Sequence, residues 1–300
     1  IQQFQQFDNL EFISKEVVEG FITGLHRSPF HGFSVEFAEH RLYNSGDNLK
    51  HIDWKVYGRV DKLFIKKYEE ETNLRCQMVI DTSSSMLFPE DTGKPNKLQF
   101  SCLAAASIIK ILKKQLDAVG LSLFDSSLSL HTPCKSTTVH HKMLMTELEK
   151  QLQNKASNQS TNAANVLHQI ADTIHKRSLI IIFSDMLDRI SDASELFDAL
   201  QHLKYNKHEV ILFHVQDGTY EVDFAFENRP YEFIDLESGE RLRMNSLQMK
   251  NEYVEKMKKY RSDLLLKCRQ FGIDVVNANT NDGYEKILTS YLIKRNKMTS

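Results

Sequence analysis

Cysteine is scarce in this chain. There are four in 300 residues, Cys76, Cys102, Cys134 and Cys268, with no C-x-x-C pair among them. That spacing excludes a small disulfide framework and suits the reduced thiols of an intracellular protein. A charge of one sign is missing too: 38 Lys and Arg against 40 Asp and Glu leave a net charge of −2. No global field draws the chain to nucleic acid or to an anionic membrane. The basic run from Lys256 to Arg261 suits the solvated face of a helix. Long apolar runs are also absent. The strongest, Ser178 to Phe183, is far too short to cross a bilayer, and the first residues have no basic-then-apolar signal pattern. The expectation is a cytoplasmic protein with no membrane span and no nucleic-acid partner.

The usual marks of catalysis are lacking as well. No Walker P-loop, no G-x-S-x-G elbow and no H-E-x-x-H pair occurs. An aspartyl-nucleophile phosphatase would need a second acid two residues after its first, and after Asp81 that place is Ser83. His140, His141, His208 and His214 suit solvated or satisfied core positions. The chain is expected not to be an enzyme, with a metal-dependent hydrolase as the rival class.

What is present is a globular balance, 41% hydrophobic with 26% charged residues, and a pattern. From Gln77 onward, short apolar strands alternate with amphipathic helices. Leu98, Cys102, Ala105, Ile109, Leu112 and Leu116 recur every three or four residues along one helical face. Such alternation predicts an α/β fold, a doubly wound, mostly parallel sheet with helices on both faces. Two regions depart from it. Residues 1–73 open with a helix over "NLEFISKEVVEGF" and then turn polar, forming an N-terminal segment expected to pack on a main domain of residues 74–300. Residues 217–244 read as a β-rich insertion, with turns at Asp217-Gly218 and Ser238-Gly239.

In such a sheet, ligands gather at the carboxyl ends of the central strands. The strand "QMVI" ends at Asp81 and "LIIIFS" ends at Asp185, so two acids point toward one crevice. Asp81, Ser83 and Ser85 form D-x-S-x-S, whose alternation directs three side chains inward if the loop stays extended. Carboxylates with hydroxyls make an all-oxygen set, suited to Mg²⁺ or Mn²⁺.

"DTSSSM" resembles the first motif of the von Willebrand factor A domain, whose metal-ion-dependent adhesion site also uses a loop threonine and an aspartate after a later strand. The resemblance matches Thr161, in "QSTNAANVL", to the threonine and Asp185 to the aspartate. The chain has Ser-Asp-Met there, where Thr-Asp-Gly is frequent. Further upstream, "HRSPFHGFSVEFAEHRLYNSGDNLKHIDWKVYGRVDKLFIKKYEEE" resembles the hallmark of a bacterial family catalogued as domain of unknown function family 58. Its motif residues here include Glu36, Arg41, Tyr43, Asp47, Asp53, Trp54 and Arg59. Arg41 and Arg59 are placed to hold Asp47 and Asp53 in charge-assisted pairs while Trp54 anchors the segment; a partner-binding surface is the alternative.

Together the resemblances imply a non-enzymatic protein-interaction module with Mg²⁺ or Mn²⁺ at Asp81, Ser83, Ser85, Thr161 and Asp185. An acidic side chain of a protein partner would fill the open position. They also imply an adaptor or co-chaperone role beside a MoxR-type AAA+ ATPase. A metal-free scaffold of the same fold is the alternative.

Overall fold

The computed structural model describes residues 10–26, 40–42, 57–59, 62–66, 74–90, 93–153, 163–175, 177–187, 193–236 and 239–299. Two compact units emerge, Ile1–Phe21 with Leu74–Met298, and Ile22–Asn73. Helix α1 covers Leu10–His26, over the stretch where the sequence predicts a helix. Within the smaller unit, β1 (His40–Leu42) pairs antiparallel with β2 (Phe64–Lys66).

The larger unit is built on six strands: β3 (Arg75–Asp81), β4 (Ala118–Phe124), β5 (Leu128–His131), β6 (Leu179–Ser184), β7 (Glu209–Gln216) and β10 (Asp274–Asn279). Their order across the sheet is β10-β7-β6-β3-β4-β5. All neighbours run parallel except β5, which returns antiparallel to β4 across a tight turn. The chain winds outward from β3 in one direction and, after β6, in the other. The reversal lies between β3 and β6, where loops diverge and leave a crevice at the strand ends. The doubly wound α/β architecture legible in the alternation is therefore the one observed.

Both faces of the central strands are buried. Every residue of β6 is buried, its five apolar residues and the closing Ser184 alike, as befits a central parallel strand. Alternation splits the side chains. Val79, Ile180, Ile182 and Leu212 join one core with Leu167 and Ile170 of α4 (Ala163–Thr173) and Leu200 and Leu203 of α5 (Ala193–Tyr205). Their sequence neighbours face the opposite side, where Phe183 and Phe213 stack at 4.9 Å.

Helix α2 (Lys97–Lys114) starts at a capping box. Asn96 Oδ1 accepts from the Gln99 backbone N–H at 2.8 Å, and Gln99 Oε1 accepts from the Asn96 N–H at 3.1 Å. That reciprocal cap fixes where α2 begins and thereby places Lys97 at its first residue. The remaining helices are α3 (Thr138–Leu152), α6 (Ser246–Gln270) and α7 (Glu285–Thr299). Among the described residues, no helix is long and apolar enough to cross a membrane.

The insertion at 217–244 differs from its expected form. It begins as a single π-helical turn, Gly218–Val222, and only later forms a hairpin of β8 (Pro230–Ile234) and β9 (Arg241–Asn245). The cause is a close approach. The Gly218 N–H donates to Asn279 Oδ1 at 3.0 Å, and a Cβ on Gly218 would lie 2.4 Å from Asn279 Nδ2. Asp217 caps the turn by accepting the Tyr220 N–H at 2.7 Å.

Candidate functional site

Strands β3 and β6 are hydrogen-bonded neighbours, so their carboxyl ends deliver Asp81 and Asp185 side by side. Both are buried, at 1% and 2% exposure. Asp81 Oδ1 accepts the Ser83 N–H at 3.0 Å, and its Oδ2 accepts the Ser184 hydroxyl at 2.7 Å. The Ser83 and Ser85 hydroxyl oxygens lie 3.1 Å apart, and the Ser85 hydroxyl is near enough to Asp185 to favour its ionised form. Four of the five residues singled out in the sequence thus form one connected oxygen cluster. Thr161 lies outside the described residues. So do Glu36, Tyr43, Asp47, Asp53 and Trp54 of the N-terminal motif; Arg41 falls on β1 and Arg59 is exposed.

The Ser-Asp-Met departure has a physical reading. Ser184 keeps a hydroxyl where threonine is frequent, and spends it on Asp81 while also accepting the Met186 N–H at 2.9 Å. Met186 takes φ +51°, the left-handed region in which glycine is free of strain. Its side chain is buried, at 1% exposure, in the core. The same turn is therefore made without glycine, with apolar burial offsetting backbone strain.

Three groups that no motif signalled complete the site. Lys97, fully buried, donates to Asp185 Oδ2 at 2.7 Å and to Glu221 Oε1 at 2.5 Å. Glu221 is held in turn by the Asp217 N–H at 2.8 Å. His214 Nε2 lies 2.9 Å from the Asp185 carbonyl oxygen. Lys97 and Glu221 are distant in sequence and meet only because the capping box and the π-turn bring them together. Ser184, unlike these three, had a local cue, its place directly before Asp185.

Electrostatics follow from this arrangement. Burial, then the neighbouring charge of Asp185, pushes the Asp81 carboxyl up to about 7, against the hydrogen bonds from Ser83 and Ser184. Burial opposes ionisation of Asp185 also, but Lys97 outweighs it and holds that carboxyl below its usual range. Burial would neutralise Lys97; Asp185 and Glu221 together keep it protonated. Burial, with the charges of Arg261 and Lys97 adding to it, brings His214 down to about 4 against the pull of Asp185, so its imidazole is neutral at pH 7 and Nε2–H can donate to the Asp185 carbonyl.

Three carboxyl groups thus share one ammonium, and Asp81, the one without a contact to Lys97, is the one that retains its proton most readily. A cation fits that chemistry: two carboxylates and two hydroxyls converge, and the buried acid that burial and Asp185 keep protonated is the group a divalent ion would ionise. Among the described residues, no group of three or more His, Cys, Asp or Glu side chains is arranged to hold a metal, so hydroxyls are essential to any such set.

Over 182 residues, the chain is 23% identical to the uncharacterized protein Rv1480 of Mycobacterium tuberculosis, covering 61% of this chain and 56% of that protein. The uncharacterized protein Mb1516 of Mycobacterium bovis matches to the same extent. The chain spans just over half the length of these curated relatives. Among solved structures, the conserved hypothetical protein BatB from Bacteroides thetaiotaomicron aligns with a TM-score of 0.45 at 15% identity, over 75% of this chain and 99% of that one. The SpRpn10 VWA domain aligns with a TM-score of 0.39 at 11% identity, over 72% of this chain and 94% of that one. Residues 39–263, well over half of the sequence, match the family described as protein of unknown function DUF58, and the chain belongs to that family.

Proposed function

We propose that the chain is a non-enzymatic protein-interaction module that holds Mg²⁺ or Mn²⁺ at Asp81, Ser83, Ser85 and Asp185, with Thr161 as a further ligand. The observation that carries this reading is the buried pair of carboxyl groups at neighbouring strand ends, joined through two hydroxyls, one of them with its pKa raised to about 7 by burial and by the other. Bound there, the ion would present a Lewis-acidic position to an acidic side chain of a protein partner. Asp81 and Asp185 supply the charge, and the serine hydroxyls supply neutral ligands that leave the ion electrophilic. Ser184 and the Ser83 N–H orient the Asp81 carboxylate. The family resemblance supports a MoxR-type AAA+ ATPase as partner, with this chain as its adaptor or co-chaperone.

One observation favours a second reading, a metal-free scaffold. The Lys97 ammonium already neutralises Asp185, and with Asp81 protonated the cluster is stable without an ion. Calorimetric titration of the chelator-stripped protein with Mg²⁺ and Mn²⁺, beside a folded Asp81→Ala variant, separates the two. Heat of binding in the parent and none in the variant supports the metal module. Silence in both leaves the scaffold. Gel filtration with a MoxR-type ATPase, with and without Mg²⁺, then tests the partner.

A further inference from the structure

Lys97 divides its ammonium between two acids that stand on different kinds of structure. Asp185, at 2.7 Å, follows β6 directly inside the acidic cluster, and Lys97 itself is the first residue of α2. Glu221, at 2.5 Å, sits instead on the π-helical turn Gly218–Val222, an irregular form that is frequent at functional sites. Its other carboxylate oxygen accepts the Asp217 N–H at 2.8 Å, a bond local to that turn. The cation and its inner acid are therefore fixed by the sheet and a capped helix, and the outer acid by a short turn.

A cavity of about 620 Å³ opens on Glu221 and Ser85. The Glu221 side chain is 11% exposed, whereas those of Lys97 and Asp185 are exposed by 0% and 2%. A ligand entering through the cavity thus meets Glu221 before it meets Lys97. Phe88 and Tyr220, edge-on at 6.1 Å, line the same cavity, and Lys97 Nζ lies 6.0 Å from the Phe88 ring centre. Apolar walls screen charge weakly, so an ammonium beside them attracts a carboxylate far more strongly than it would in water.

We propose that Glu221 is an internal ligand of the Lys97 ammonium, which an acidic side chain of a protein partner replaces from the cavity. The inference rests on the proposed function for the partner's acid but not for the metal, because Lys97 is here the cation that the acid meets. The exchange is acid for acid. Lys97 never stands unpaired in the interior, where a lone charge is costly, and the displaced Glu221 carboxylate passes into water. The cavity is far larger than a carboxyl group needs, which leaves room for the residues that flank the acid in a polypeptide.

Glu221→Ala removes a group the size of acetate, so acetate is the probe. Urea midpoints of the full chain are measured in EDTA with acetate, acetamide or chloride, at matched ionic strength. Acetate is expected to raise the midpoint of Glu221→Ala, with half of the effect at a concentration at least about tenfold below that for the parent, in which Glu221 competes. Acetamide and chloride should not do so, and Lys97→Met/Glu221→Ala should lose the response. If Glu221→Ala does not fold, Glu221→Gln, which keeps the shape without the charge, is expected to respond at less acetate than the parent. A capped pentapeptide with one glutamate among glycines should act as acetate does, and its glutamine counterpart should not. No acetate-specific shift, a shift that survives the loss of Lys97, or a response to acetate without one to the glutamate peptide would each overturn the proposal. Because the assay contains no metal, a failed Mg²⁺ titration leaves the exchange standing, and a successful one does not rescue it.

Discussion

Lys97 Nζ sits 2.7 Å from Asp185 Oδ2, and neither side chain is exposed by more than 2%. A fully desolvated ion pair of this kind contributes little net stability when intact, but leaves a costly orphan when one partner is removed. Lys97 also holds Glu221, so its loss would strand two carboxylates beside a third.

Lys97→Met is therefore expected to lose about 3–5 kcal/mol of stability, read as the shift of a urea midpoint. The same experiment with Mg²⁺ separates the two functional readings. In a metal module the variant recovers a larger share of its stability from Mg²⁺ than the parent gains, because the cluster has become more anionic. In a scaffold, Mg²⁺ shifts neither curve.

The pH dependence of metal binding follows from Asp81. Its carboxyl titrates near 7 in the folded protein, and a divalent ion must displace that proton. Apparent Mg²⁺ affinity should fall about tenfold per pH unit below 7 and level off above it. Calorimetry in buffers of different ionisation heat counts the proton released. Without metal the sign reverses. A carboxyl raised from 3.8 to about 7 contributes stability that is complete below its unfolded value and lost as pH rises through about 7. Asp81→Asn should flatten that decline in denaturation curves taken from pH 4 to 8; an unchanged slope would remove Asp81 as its source.

His141 is buried on α3, and among the described residues neither ring nitrogen has a hydrogen-bond partner. Burial, then Lys113 and His140, lowers its pKa below 6.5. The unfolded chain thus binds a proton more readily than the folded one, and the stability this neutral ring permits is present above 6.5 and lost as pH falls below it. His141→Leu removes two unpaired polar atoms and the titration together. We expect a gain of about 1 kcal/mol at pH 7 and a larger gain at pH 5.5, from urea midpoints at the two pH values.

Much of this molecule was legible in the sequence, for identifiable reasons. Strands such as "LIIIFS" are buried on both faces and carry no competing signal, so apolar runs and helical periodicity marked the sheet and its crevice. Asp81, Ser83, Ser85 and Asp185 could be picked out because a strand end is a local feature. Lys97 could not, since at the first turn of α2 it looks like any solvated lysine. Its burial depends on Glu221, 124 positions away, and on a π-turn that alternation rules mistake for the start of a strand. The left-handed Met186 was equally hidden, because side-chain burial there overrides the glycine preference that sequence reading relies on.

That π-turn offers a direct test of how the site is assembled. Gly218 has no room for a Cβ, which would lie 2.4 Å from Asn279 Nδ2. Gly218→Ala must therefore push the Asn279 amide aside, breaking the 3.0 Å bond that pins the turn. Because Glu221 lies within the same five-residue turn, it would move off Lys97. The expected cost is about 1–3 kcal/mol from overpacking and the displaced bond. The informative readout is a double-mutant cycle with Glu221→Gln. If Gly218 acts by positioning Glu221, the two losses are less than additive by more than about 0.5 kcal/mol. Strict additivity would mean that the turn and the Lys97 pair are held independently.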